Sequence, residues 1–248
     1  MPGGAPRRPA RPWHRLARVA GLAMCLWTAG NVAVAQAIAD ARYGAPTTRY
    51  AHGVLGDAVE WGALEMRLAD GRTVRLVLPE TRVFEDIAPR LVDLDSDGAP
   101  EVIVVESDNR LGARLAVYGS GGMLAATPFI GRAYRWLAPI GAADLDGDGA
   151  VEIAFVDRPH LAKTLRIWRY RAGALAEVAS LPGLTNHQIG WDFIAGGIRD
   201  CGQGPEMITA DGDWRRVMAT GFGAGRFASR EIGAYAGPDS LRAALDCR

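Results

Sequence analysis

Along the chain, apolar positions gather in short runs broken by glycine, aspartate and serine, and no segment holds a helical period over helical length. EVIVVE (101–106), RLAVY (114–118) and MLAAT (123–127) are strand-length runs bounded by turn residues. A strand-like run ends at a glycine turn, followed closely by an apolar position, at Gly71, Gly122, Gly173 and Gly225, with spacings of 51, 51 and 52. Each unit closes with a run leading into the next turn, as in RWLAPIGAAD (135–144), with VFEDIAPRLVD (83–93) and WDFIAGGIRD (191–200) as counterparts. This pattern predicts an all-β chain forming a small β-propeller: about four blades of four short antiparallel strands, with a period near 51 residues. The pattern fits a closed ring or a partial propeller completed by dimerisation, so the oligomeric state stays open. The first unit is the weakest, because only LGDAVEW (55–61) there resembles an acidic turn.

Two segments superpose almost residue for residue at an offset of 51: LVDLDSDGAPEVIVV (91–105) and AADLDGDGAVEIAFV (142–156). Calcium takes six to eight oxygen ligands, which requires several carboxylates converging from a sharply turned loop. Asp93, Asp95 and Asp97 supply alternate side chains, Gly98 permits the turn, and the Ala99 carbonyl and Glu101 carboxylate complete the set. Asp144, Asp146, Asp148, Ala150 and Glu152 repeat it at the same spacing. An EF-hand needs an acidic twelfth residue and flanking helices, whereas the twelfth positions are Val104 and Phe155, inside strand-like runs. The remaining alternative is a pair of acidic β-turns that hold no metal.

These loops resemble the FG-GAP or VCBS repeats of integrin-like propellers, whose loops follow Asp-x-Asp-x-Asp-Gly-x-x-Asp. The resemblance implies a propeller with Ca2+ held in loops between strands, in a secreted or surface protein. Glu101 and Glu152 depart from the pattern by one methylene where the family often has Asp. A third loop, DCGQGPE (200–206), keeps Asp200 and Glu206 but loses the other carboxylates, so no calcium is expected there.

The N-terminus changes the picture of location and charge. Arg7, Arg8, Arg11, Arg15 and Arg18 precede an apolar run over 19–27, and Ala33 and Ala35 form a small-residue cleavage pattern, with Ala37 as a second option. A signal peptide over 1–35 is expected, leaving a propeller domain over 36–248 that is periplasmic or secreted. The apolar run is shorter than the roughly 20 residues of a spanning helix, so no stable membrane span should remain after cleavage. Five of 28 basic residues leave with that segment and all 28 acidic ones stay, giving 23 − 28 = −5. An acidic product is a poor non-specific partner for nucleic acid. Cys25 falls in the signal, and the remaining pair, Cys201 and Cys247, reads as one disulfide in an exported chain, the alternative being two separate buried thiols.

No nucleophile motif is present, since GSGG (119–122) is a hairpin turn, and His52, His160 and His187 lack transition-metal spacing. Two polar–aromatic clusters are candidate ligand surfaces: His52 with Trp61, and His187, Trp191 and Asp192 with Trp214. The competing reading has these tryptophans packing between blades. The sequence therefore points to a calcium-binding, non-catalytic binding or structural module with a protein or carbohydrate partner. The alternative is a carbohydrate-active or other hydrolase or lyase using carboxylates such as Glu60, Asp86, Asp192 or Asp213.

Overall fold

A computed structural model describes residues 36–248 together with Met1, Gly3 and Gly4, so the rest of the expected signal segment, with its cleavage pattern, lies outside the described residues. The described chain is antiparallel β-sheet throughout, apart from a C-terminal helix, Pro238–Leu245. The first unit holds β1 (Ile38–Thr47), β2 (Glu60–Leu68) and β3 (Thr73–Val77). The second holds β4 (Arg82–Phe84), β5 (Arg90–Val92), β6 (Glu101–Asp108), β7 (Gly112–Gly119) and β8 (Gly122–Ala126). The third holds β9 (Leu137–Ala143), β10 (Glu152–Asp157), β11 (Thr164–Arg171) and β12 (Ala174–Pro182). The fourth holds β13 (Leu184–Thr185), β14 (Gly197–Asp200), β15 (Pro205–Asp211), β16 (Arg216–Gly223) and β17 (Arg226–Ala234). This is the all-β, propeller-like arrangement of repeated antiparallel units that the spacing predicts.

The four landmark glycines all have positive φ, and each turns one hairpin: β2–β3, β7–β8, β11–β12 and β16–β17. Glycine adopts that conformation without the Cβ penalty, which is why the sequence marks it so regularly. The landmark also aligns the units: β2 and β3 correspond to the third and fourth strands of the later units, and β1 to the second. Residues 55–61 then fall at the turn between second and third strands, not at the place of the acidic loops. β4 pairs with β2 at Trp61 opposite Phe84 and with β6 over 106–108, joining the first two units into one eight-stranded sheet.

Burial follows strand position. β6 and β10 are buried at every residue, as expected of central strands covered on both faces, whereas the outer β12 and β17 are mostly exposed. Apolar clusters lie between consecutive units. Leu64, Met66 and Phe84 meet Val102 and Val104; Ile103, Val105 and Leu115 meet Leu137, Ile153 and Phe155; Ala154, Val156 and Ile167 meet Met207 and Phe222. The far face of the last sheet, with Ile208, Val217 and Ala219, is covered by Leu241 and Ala244 of the helix.

The innermost strands share one irregularity. Pairing runs from 141 to 143 against 154–152 in the third unit, from 90 to 92 against 103–101 in the second, and from 197 to 200 against 208–205 in the fourth. Beyond Gly141, Arg90 and Gly197 the strand is interrupted at the same register. The interruption is one residue, Ile140, in the third unit, residues 85–89 in the second and residues 186–196 in the fourth, after which pairing resumes.

Candidate functional site

Both acidic loops connect a first to a second strand and fold around their first aspartate. Asp93 accepts the N–H groups of Asp97 (3.1 Å) and Gly98 (3.0 Å), and Asp144 accepts those of Gly147 (2.8 Å), Asp148 (3.1 Å) and Gly149 (2.9 Å). Glu101 and Glu152, buried at the start of the second strand, each accept the N–H of the residue after that aspartate, Leu94 or Leu145, at 2.9 Å. Carboxylate oxygens of Asp93, Asp95 and Glu101 lie within 4.8 Å of one another, and so do those of Asp144, Asp146 and Glu152. Asp97 and Asp148 stand outside these groups and instead hold the N–H of Ala99 (2.7 Å) and Ala150 (2.9 Å), tightening the loop exits. Three converging carboxylates on a sharp turn are a donor set that fits a hard divalent cation.

The three related loops differ in their counter-charges. At Glu101 burial raises the pKa, the Leu94 N–H opposes that rise, and Asp95 and Asp97 add to it. The pKa of Tyr170, reaching across from β11, is raised by burial and then by Glu101, Asp95 and Asp97. In the third unit Arg169, directly opposite Glu152 across β10 and β11, meets Glu152, Asp146 and Asp148. In the fourth, Glu206 occupies the register position of Glu101 and Glu152 and pairs with Arg199 (3.0 Å) and Arg230 (2.9 Å). There Asp200 folds the shortened loop by accepting Gly202 and Gly204 N–H groups, and Cys201 is joined to Cys247 by a disulfide.

A second constellation forms where the inner strands are interrupted. The His52 Nδ1 lies 2.5 Å from Oε1 of Glu85, Ser107 Oγ donates to the other Glu85 oxygen, and Trp136 Nε1 donates to the Glu85 carbonyl at 2.8 Å. The rings of Tyr50, His52 and Tyr134 sit 5.3 to 5.9 Å apart. His52, Tyr134, Trp136 and His160 line one small cleft. Trp136 stacks on His160 and meets His187 edge-on at 4.9 Å; aromatic contact continues from His187 through Trp191 and Trp214 to Tyr235. Val54 and Gly190 join the β1–β2 loop to the eleven-residue insert by a backbone hydrogen bond of 3.2 Å.

Protonation within this row follows from its hydrogen bonds. A carbonyl only accepts, so His187 donates Nε2–H to the Trp191 carbonyl (3.1 Å) and takes the Nε2–H of His160 on its Nδ1 (2.9 Å). Burial, reinforced by His187 and His52, pushes His160 down to about 4, and burial lowers His187 as well. Both rings are neutral at pH 7, and the His160 Nδ1 has no hydrogen-bond partner among the described residues. Glu60 is pushed up to about 9, first by burial and then by Glu85, Asp57 and Asp86.

Of the sequence-derived surface, His52, His187, Trp191 and Trp214 fall in or beside this row, and Asp192 is exposed next to Trp191. Trp61 does not: it stacks against Tyr43 and packs on the apolar cluster between the first two units. Glu85, Tyr134 and His160 went unrecognised as members. Their one signal in the sequence is that 83–93 and 135–144 align as equivalent runs, which puts Glu85 and Trp136 at neighbouring strand ends.

Residues 93–155 match a known family model. The model is that of the FG-GAP-like repeat. The match spans both complete acidic loops and the strands from β6 to β9 between them, and ends within β10. No curated protein matches the chain. Among solved structures, the exotype rhamnogalacturonan lyase YesX is similar, with a TM-score of 0.41 and 18% identity over 68% of this chain. The match covers 40% of the lyase, so this chain spans less than half of its length.

Proposed function

We propose that the protein is an exported, calcium-stabilised, propeller-like binding module, and that the aromatic row beside the inner-strand inserts receives a protein or carbohydrate ligand. The observation that carries the calcium reading is that the FG-GAP-like repeat encloses two loops whose three carboxylates converge within 4.8 Å. Calcium here tightens the turn between first and second strands and takes no part in chemistry. Sites of 10⁻⁴ to 10⁻³ M affinity suffice outside the cell. The Cys201–Cys247 disulfide and the basic and apolar N-terminal pattern support an oxidising, exported location. No helix among the described residues is long and apolar enough to cross a membrane. Polar groups beside exposed Ile189 and Phe193 and the half-buried Trp191 suit a sugar or peptide face. For the hydrolase or lyase reading, Glu60 and Asp86 are only 2% and 1% exposed, closed to a substrate, whereas Asp192 and Asp213 are exposed.

Thermal unfolding of the intact protein tests the reading. Ten-millimolar calcium is ten times a site of 10⁻³ M affinity, which stabilises by about 1.4 kcal/mol and raises the midpoint over that in chelator. Asp95→Asn combined with Asp146→Asn should abolish the rise. An unchanged midpoint with no calcium retained on dialysis would end the metal reading.

A further inference from the structure

The two complete loops have the same ligand spacing, but a different residue faces each across the sheet. Glu152 on β10 pairs in register with Arg169 on β11. In the second unit Val102 pairs with Tyr118, so the position opposite Glu101 is Gly119, which has no side chain to offer. The Arg169 guanidinium is fully committed: Nε lies 2.6 Å from Glu152, Nη2 2.7 Å from Asp146 and Nη1 3.0 Å from Asp148. Two of those three carboxylates, Asp146 and Glu152, belong to the converging group. A planar guanidinium with separate donors on each nitrogen suits carboxylates arranged this way, and it remains charged at every relevant pH.

We propose that Arg169 fills the cation seat of the second loop, so that calcium binds one loop per chain, at Asp93, Asp95 and Glu101. This rests on reading the acidic loops as calcium sites, and it divides two loops that the sequence makes equivalent. The fourth unit is an internal precedent. Its loop has lost every aspartate but the first, Asp200, and the glutamate at the same register is met by Arg199 and Arg230 instead. Arginine thus accompanies loss of the ligand set in one unit and stands on the intact set in another. Calcium bound in the second loop would have to displace a guanidinium from two of its ligands; in the first, the position opposite Glu101 is Gly119, which offers no such competitor.

Calcium titration by calorimetry on the intact wild-type protein and three variants tests this. Wild type should bind one ion, Asp95→Asn none, Asp146→Asn one, and Arg169→Met two, with circular dichroism confirming that each is folded. Two ions on wild type, or loss of the wild-type ion in Asp146→Asn, would overturn the inference and leave the calcium reading standing. A folded Arg169→Met that gains no ion would also overturn it. No ion in either wild type or Arg169→Met would end both. If Arg169→Met does not fold, wild type against Asp146→Asn still decides which loop carries the ion.

Discussion

Glu60 holds a proton at neutral pH because water cannot reach it and three carboxylates stand nearby, Glu85 first among them. A carboxyl whose folded pKa exceeds its unfolded value contributes full stability below the unfolded value, and loses it as pH rises toward the folded one. The window therefore runs from about 4.5 to about 9. Glu60→Gln keeps the shape and removes the charge, so it should match wild type near pH 4.5 and exceed it at pH 8. The gain expected is at least about 1.4 kcal/mol, the equivalent of one pKa unit, measured as the difference in urea unfolding free energy at the two pH values. A gain that is the same at both pH values would contradict the protonation state. None of this was legible in the sequence. Glu60 sits in a run, 55–61, that reads as an acidic turn, and its neighbours Glu85 and Asp86 come from a different unit.

The elements themselves were largely legible, for a physical reason: each unit must turn the same hairpin and bury the same central strand, so glycine spacing and apolar runs repeat at 51 residues. The inner-strand inserts were not legible, because an insertion in one strand of a pair leaves no periodic trace. Gly196 shows how tightly the longest insert is returned to its sheet. It has φ +78, and a Cβ there would lie 2.1 Å from the Ile208 carbonyl oxygen. Gly196→Ala should cost about 3 kcal/mol, combining left-handed strain with a backbone clash. Gly204→Ala, at a comparable φ of +92 in open space, should cost about 1 to 2 kcal/mol. Equal midpoints for the two variants in denaturant would rule out the close return.

At the scale of the whole molecule, the last sheet is finished by a helix, and the helix is tied back to the third loop through Cys201–Cys247, 46 residues apart. Cys247→Ser should lower unfolding free energy by about 4 kcal/mol on the chain-entropy model and raise hydrogen exchange in β15 and β16 beneath Leu241 and Ala244. Exchange confined to the helix would show that the helix does not cover the sheet. The common break in the inner strands reaches beyond stability. One register position accepts a single residue, a five-residue turn or an eleven-residue loop while the strands on either side resume their pairing. In engineering terms it is a graft port: foreign loops of varied length installed between Thr185 and Gly197 would inherit two anchored ends, making the scaffold a display frame whose specificity is exchangeable without redesign of its blades.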